Sequence, residues 1–325
     1  MNRLIKKILT AGAALVLASV LLCGCAGQPQ SEKKLRIVTT VFPVYDWVRN
    51  VLGEAASEAE LTMLLDKGID FHSYQPTAGD IAKIATCDVF IYVGGESDDW
   101  AENALRQSPR EGRIVIDLLE ALGSRARTEE LPEGAQDDEH ETEGEEPEYD
   151  EHLWLSLKNA SLLCSVIAEK LGEADPDRRG DYAANASAYT AQLEELDAAF
   201  AEAVREAPHR TVLFADRFPF RYLAEDYGLR CFAAFSGCSA ETKASFETVI
   251  FLAGKIDEYG LRSVIILEGS DRSVARTVIE HTASADQQIL VLDSMQSVTA
   301  ADLQKGITYL GVMRSDLAVL TAALQ

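Results

Sequence analysis

Short β-branched runs alternate with longer amphipathic stretches along this chain, and the alternation is played out twice. The runs fall at 35–40, 89–93 and 114–116 in the first half, and at 212–214, 231–234, 264–267 and 289–292 in the second. Strand, helix, strand repeated in this way requires parallel sheets, because a parallel neighbour is reached only through a crossover that lays a helix on a sheet face. Between the halves runs a helical pattern at 176–207, with Asp175 placed to cap it, Pro176 suited to its first turn, and Ala, Leu, Glu and Gln filling its interior. Roughly 30 residues at 1.5 Å each span about 45 Å, longer than one small domain needs. The apolar positions Tyr182, Tyr189, Leu193, Leu196, Phe200 and Val204 fade after a few turns, which argues against a coiled coil. The expectation is two doubly wound α/β domains, 35–174 and 209–325, joined by one long rigid helix at 175–208.

The N-terminus fixes a compartment. Arg3, Lys6 and Lys7 precede an apolar stretch at 8–22, too short for an ordinary spanning helix and right for an export signal. Leu22-Cys23-Gly24-Cys25 reads as a lipobox, making 1–24 the signal peptide, Cys25 the lipidated residue and 25–34 a tether. A lipid anchor of this kind holds a soluble body at the outer face of a cell membrane, each buried methylene contributing about 0.8 kcal/mol. The net charge of −23 makes nucleic acid an improbable partner. Thirteen Asp and Glu residues crowd into 129–151 with no Lys or Arg among them, and their self-repulsion predicts a mobile, unpacked acidic loop.

Four cysteines lie beyond the anchor. Cys231 and Cys238, on either side of a predicted strand end, either pair or stay free, while Cys87 and Cys164 sit in apolar contexts and read as packed thiols. No cysteine spacing suggests a zinc knuckle, and neither a His-Glu-x-x-His motif, a Gly-x-Ser-x-Gly elbow nor a phosphate-binding loop occurs.

Five histidines are present, and two of them, His72 and His152, sit where loops leave strands, in acidic surroundings. Imidazole is the commonest transition-metal ligand. The run Val38-Thr39-Thr40-Val41-Phe42-Pro43-Val44-Tyr45 comes first. Asp70-Phe71-His72-Ser73-Tyr74-Gln75-Pro76-Thr77 with Asp80-Ile81-Ala82-Lys83 follows, and then His152-Leu153-Trp154-Leu155 with Lys158-Asn159-Ala160. Together they resemble the zinc/manganese solute-binding lipoproteins of bacterial ABC importers, in order and at similar spacing from about residue 35 to the C-terminus.

That resemblance implies a divalent ion held in the cleft between two domains, with His72 and His152 as the first two ligands and Asp293, just past the strand 289–292, as the aspartate ligand. At the remaining position the sequence departs from the family. Counting ten residues back from the tyrosine of Tyr227-Gly228-Leu229 lands on Arg217, which cannot ligate a metal. Asp216 is the neighbouring substitute, unless it merely pairs with Arg217, and Glu268 is the reserve ligand. Two imidazoles with carboxylates suit tetrahedral Zn2+, and acid-rich versions of the set also take Mn2+. Zinc is favoured.

The role implied is the solute-binding component of a metal importer: a monomer without enzymatic activity that passes its ion to an ABC permease and ATPase. Two alternatives remain, an adhesin-like surface lipoprotein on the same fold and a metal-dependent hydrolase, which would need an open coordination position and a poised base. His140, in the acidic loop, either gathers cations weakly or decorates a solubilising linker, and His209 and His281 read as solvated.

Overall fold

The first sheet is built from β1 (Arg36–Thr39), β2 (Glu60–Met63), β3 (Val89–Tyr92) and β4 (Ile114–Asp117), all parallel, in the order β2-β1-β3-β4. This is a computed structural model, and it describes residues 34–135, 148–238 and 243–325. The expected signal, the lipobox with Cys25, and His140 lie outside the described residues. Helices α1 (Phe42–Leu52), α2 (Ala78–Thr86), α3 (Asp99–Gln107) and α4 (Leu118–Leu122) return the chain between and after these strands. Then come α5 (Leu157–Ala174) and the long α6 (Arg179–Glu206). The second sheet, β5 (Thr211–Arg217), β6 (Arg230–Phe235), β7 (Ser263–Leu267) and β8 (Gln288–Leu292), is again parallel, in the order β6-β5-β7-β8. Its helices are α7 (Arg221–Tyr227), α8 (Phe246–Tyr259), α9 (Ser273–Glu280), α10 (Ala300–Gln304) and the C-terminal α11 (Tyr309–Ala323).

Side-chain alternation assigns the sheet faces. Along β5, Val212 and Phe214 join the larger core while Leu213 and Ala215 enter a smaller one; along β7, Ile265 and Leu267 divide from Val264 and Ile266 in the same way. A strand covered on both faces reads as a continuous apolar run, which is why β3 and β7 were legible without alternation. The larger core runs through both sheets, from Val38 and Phe90 to Phe214 and Leu292, so Leu35–Gln325 holds together as one unit.

The long helix departs from its predicted start. Pro176–Arg178 forms a 3-10 turn ahead of α6, and Asp175 does not cap the helix. Its carboxylate instead accepts the Tyr182 hydroxyl at 3.0 Å. The six apolar positions read from the sequence are all buried. Through them α6 packs against α5, α1 and α11, while Asn185 Nδ2 donates to Val51 O at 3.0 Å and Phe200 stacks on Tyr227 at 5.3 Å.

Three hydrogen bonds close the two halves on one another. Trp154 Nε1 donates to Ser294 O at 2.9 Å, the Tyr309 hydroxyl to Trp154 O at 2.6 Å, and Tyr309 N to Asp46 Oδ2 at 2.9 Å. Burial pushes the Asp46 carboxyl up, against the opposing pull of the Tyr309 N–H and Arg49.

The acidic segment corrects a further expectation. Its described ends are tied down rather than loose, although Leu131 and Tyr149 are exposed: Glu129 N donates to Glu148 O at 2.7 Å, Glu133 bridges to Phe232 of β6, and Asp150 and Glu151 are 3% and 2% exposed. Removing the segment 136–147, with the described ends kept, is expected to leave the fold and the site intact, as read by an unchanged far-ultraviolet circular dichroism spectrum and metal stoichiometry. A loss of stoichiometric binding would contradict this.

Candidate metal centre

Parallel strands deliver their loops to one end of each sheet, and the candidate residues collect at those carboxyl ends. His72 sits in a 3-10 turn, Phe71–Ser73, between β2 and α2. Asp70 caps the turn, accepting the His72 N–H at 3.1 Å, and Phe71, fully buried, packs edge-on against Trp154 at 5.8 Å. His152 lies just ahead of the 3-10 turn Leu153–Leu155 and is 0% exposed. Its backbone N–H donates to Asp150 Oδ1 at 2.8 Å.

The ring nitrogens are sorted by their partners. His152 Nδ1 lies 3.0 Å from Asp150 Oδ1, and a carboxylate only accepts, so Nδ1 carries the hydrogen and Nε2 keeps its lone pair. His72 Nδ1 lies 2.8 Å from Ser97 Oγ and 3.4 Å from Glu151 Oε2. Glu151 Oε1 accepts the Ser97 N–H at 2.7 Å, so the carboxylate and hydroxyl hold this ring together. Such a carboxylate behind an imidazole fixes its tautomer and raises its basicity toward a metal. The two Nε2 atoms then face one another at 3.0 Å. Two nitrogens about 2.0–2.1 Å from one tetrahedral ion would stand roughly 3.3 Å apart, so the pair is close to the spacing that a shared cation demands.

Among the described residues, one group of three His, Cys, Asp or Glu side chains brings its donor atoms within 4.8 Å of each other: His72, His152 and Cys238. Cys238 follows β6, and its N–H donates to Glu129 Oε1 at 3.2 Å. Burial, with Glu129, Glu151 and Asp150 nearby, pushes its thiol up. The approach depends on Gly237, where a Cβ would stand 3.1 Å from His152 Cε1 and 3.0 Å from Phe218 O.

The expected carboxylate ligands lie outside that group. Asp216 spends its oxygens on backbone, Oδ1 accepting Arg217 N at 2.9 Å and Oδ2 accepting Leu267 N at 3.2 Å, which ties the ends of β5 and β7. Asp293 Oδ1 accepts Met295 N at 2.8 Å. The reserve residue, Glu268, takes the Ser294 N–H and hydroxyl, each at 2.7 Å. Burial pushes Asp293 up, and Glu268, buried beside Asp293, is pushed up to about 7. Arg217 does not pair with Asp216 through its side chain. Its guanidinium crosses to Asp70 Oδ2 at 2.7 Å, and although burial pushes that carboxyl up, Arg217 and His72 hold it below the ordinary value.

The predicted alternative of a Cys231–Cys238 disulfide is also corrected: both cysteines are free. Cys231 is the second residue of β6 and Cys238 lies beyond its end. Four strand residues advance the chain about 13 Å before it leaves β6, and the loop beyond takes the Cys238 thiol to the His72 and His152 nitrogens instead. Of the remaining histidines, His281 Nδ1 lies 2.8 Å from Thr277 O on an exposed helix end, and His209 accepts the Thr211 N–H at 3.4 Å.

Asp98 was not singled out from the sequence. It is 1% exposed, its Oδ2 accepts Val93 N at 2.7 Å, and burial, then Glu151, pushes it up to about 8. The ordinary value is 3.8, so the unfolded chain releases this proton first and stability falls as pH rises from about 4 to about 8. Asp98→Asn is expected to flatten that decline by roughly 1–3 kcal/mol, measured as urea unfolding at pH 5 and pH 8. An equal decline in both proteins would contradict the assignment.

Comparisons with known proteins bear on the family and the fold. The zinc-binding lipoprotein AdcA of Streptococcus pneumoniae (strain ATCC BAA-255 / R6) is 30% identical over 304 residues, which is 94% of this chain and 58% of AdcA. The chain thus spans less than two thirds of that relative. The high-affinity zinc uptake system protein ZnuA of Bacillus subtilis (strain 168) is 23% identical over 296 residues, 90% of this chain and 88% of that protein. The crystal structure of the Zn(II)-bound ZnuA-like domain of Streptococcus pneumoniae AdcA matches with a TM-score of 0.70 at 28% identity, covering 90% of this chain and 99% of that one. The family described as zinc-uptake complex component A, periplasmic (ZnuA), matches residues 37–323, and the chain, with its two parallel sheets and long joining helix, belongs to that family.

Proposed function

We propose that this protein is the extracytoplasmic solute-binding component of a metal ABC importer, capturing one divalent ion, zinc in preference to manganese, and delivering it to a permease driven by an ATPase. The observation that carries the reading is the pair of Nε2 atoms 3.0 Å apart, each ring held from behind by a carboxylate or hydroxyl partner. Neutral imidazoles bring no charge, so the acids behind them, Asp150 and Glu151, offset that of the ion. Protons compete for both Nε2 atoms, and affinity falls as the solution is acidified. The ion is cargo: it sheds its water to the side chains on capture and regains ligands on release. Closure about it is small, because α6 and the bonds through Trp154 and Tyr309 already join the halves. Among the described residues no helix is long and apolar enough to cross a membrane, and attachment falls to lipid on Cys25. The protein acts as a monomer.

Titration of zinc into the metal-free protein tests this. One ion per chain is expected, with zinc raising the unfolding free energy by about 4 kcal/mol once free zinc reaches a thousand times Kd. Several weak ions per chain with no thermal shift would overturn the reading.

A further inference from the structure

We propose that Cys238 Sγ is the third ligand of the captured ion, in place of the ligand that the resemblance would put at Arg217. The inference rests on the capture function proposed above and names the donor that sets its ion preference. Cys238 is the residue whose donor atom joins those of His72 and His152 within 4.8 Å. It comes from the half of the molecule opposite the histidines, so the ion is held from both sides. Arg217 is unavailable for any such role, its guanidinium being committed to Asp70. The loop bearing Cys238 is pressed onto the His152 ring through Gly237 and held by Glu129.

A second observation points to the same place. Gln296 is 3% exposed, its amide nitrogen stands 3.3 Å from His72 Nε2, and its Oε1 has no hydrogen-bond partner. A lone-pair nitrogen and a buried amide meeting with an oxygen left over is a donor set arranged for a cation, since amide oxygen and nitrogen exchange places by a half-turn of the side chain. When the ion binds, the Sγ proton leaves to solvent and the sulfur–metal bond takes its place. Thiolate with two imidazoles suits zinc and disfavours manganese, which prefers oxygen donors.

Cobalt(II) in place of zinc provides the test, because thiolate ligation produces an intense near-ultraviolet charge-transfer band that imidazole and carboxylate ligation do not. The band is expected in the unaltered protein and in Cys231→Ser, and absent in Cys238→Ser. Cys238→Ser is also expected to lose at least tenfold in zinc affinity and at least tenfold in the preference for zinc over manganese. Tight cobalt binding to the unaltered protein that depends on His72 but lacks the band would overturn the role of Cys238 and leave the capture function standing. No stoichiometric binding, or binding indifferent to His72→Ala, would overturn both.

Discussion

His72→Ala is expected to lower zinc affinity by roughly 10²–10³-fold while leaving the metal-free protein folded. A protein zinc site is worth about 10–16 kcal/mol in all, so one of four ligands carries roughly 3–4 kcal/mol. His72 is the cleaner of the two histidine tests. It stands in a short turn whose backbone cap, the His72 N–H to Asp70, survives truncation of the ring. His152→Ala should lose as much affinity but also some stability, because its ring is wholly buried and its removal leaves Asp150 Oδ1 with one partner fewer. Competition titration against a chelator of known affinity measures the first effect and thermal unfolding of the metal-free proteins the second. Affinity within tenfold of the unaltered protein for His72→Ala would remove that residue from the site.

Trp154→Ala should be the most destabilising single truncation near the site, at about 3–5 kcal/mol. The indole is 0% exposed, touches the rings of Phe71 and His152 edge-on at 5.8 and 5.6 Å, and supplies the hydrogen bond to Ser294 that reaches the second sheet. Its loss leaves a cavity behind both histidine-bearing turns and an unpartnered carbonyl at the Glu268-bound Ser294. At about 2–4 °C per kcal/mol for a unit of this size, the melting temperature should fall by roughly 6–20 °C. Zinc affinity should weaken with it, since the His152 ring loses its neighbour. Urea unfolding reads the effect directly, and a change under about 1 kcal/mol would show that the halves do not depend on this contact.

Much of this architecture could be read from residue order, for identifiable reasons. Both-face burial makes β3, β5 and β7 unbroken apolar runs, and the period of Tyr182 to Val204 announces α6. The edge strand β2 was missed, because Glu60 is exposed and only Met63 of its four residues is fully buried, so neither alternation nor an apolar run marks it. His72 and His152 stood out in the motifs around them, but only His72 follows a strand, β2; His152 does not sit where a loop leaves a strand as expected, and reaches His72 at 3.0 Å from the turn ahead of α5, a placement that strand order does not reveal. The carboxylates were harder. Asp216 looked available, but its oxygens are consumed by the Arg217 and Leu267 N–H groups, a demand of strand termination that no spacing reveals. Asp150 and Glu151 looked like part of a solvated acidic run and are instead buried behind the imidazoles. The one hint was their position directly before His152. Cys238 was weighed as a disulfide partner because it lies close in sequence to Cys231, whereas both thiols are free and the loop beyond β6 brings Cys238 to the histidines.

An anomalous-scattering map from crystals of the zinc-loaded protein tests the central claim most directly. The account predicts one dominant peak between the two rings, about 2.0–2.1 Å from each Nε2 atom. A dominant peak among Glu268, Asp293 and Asp316, or within the acidic segment, with the two imidazoles uncoordinated, would contradict it.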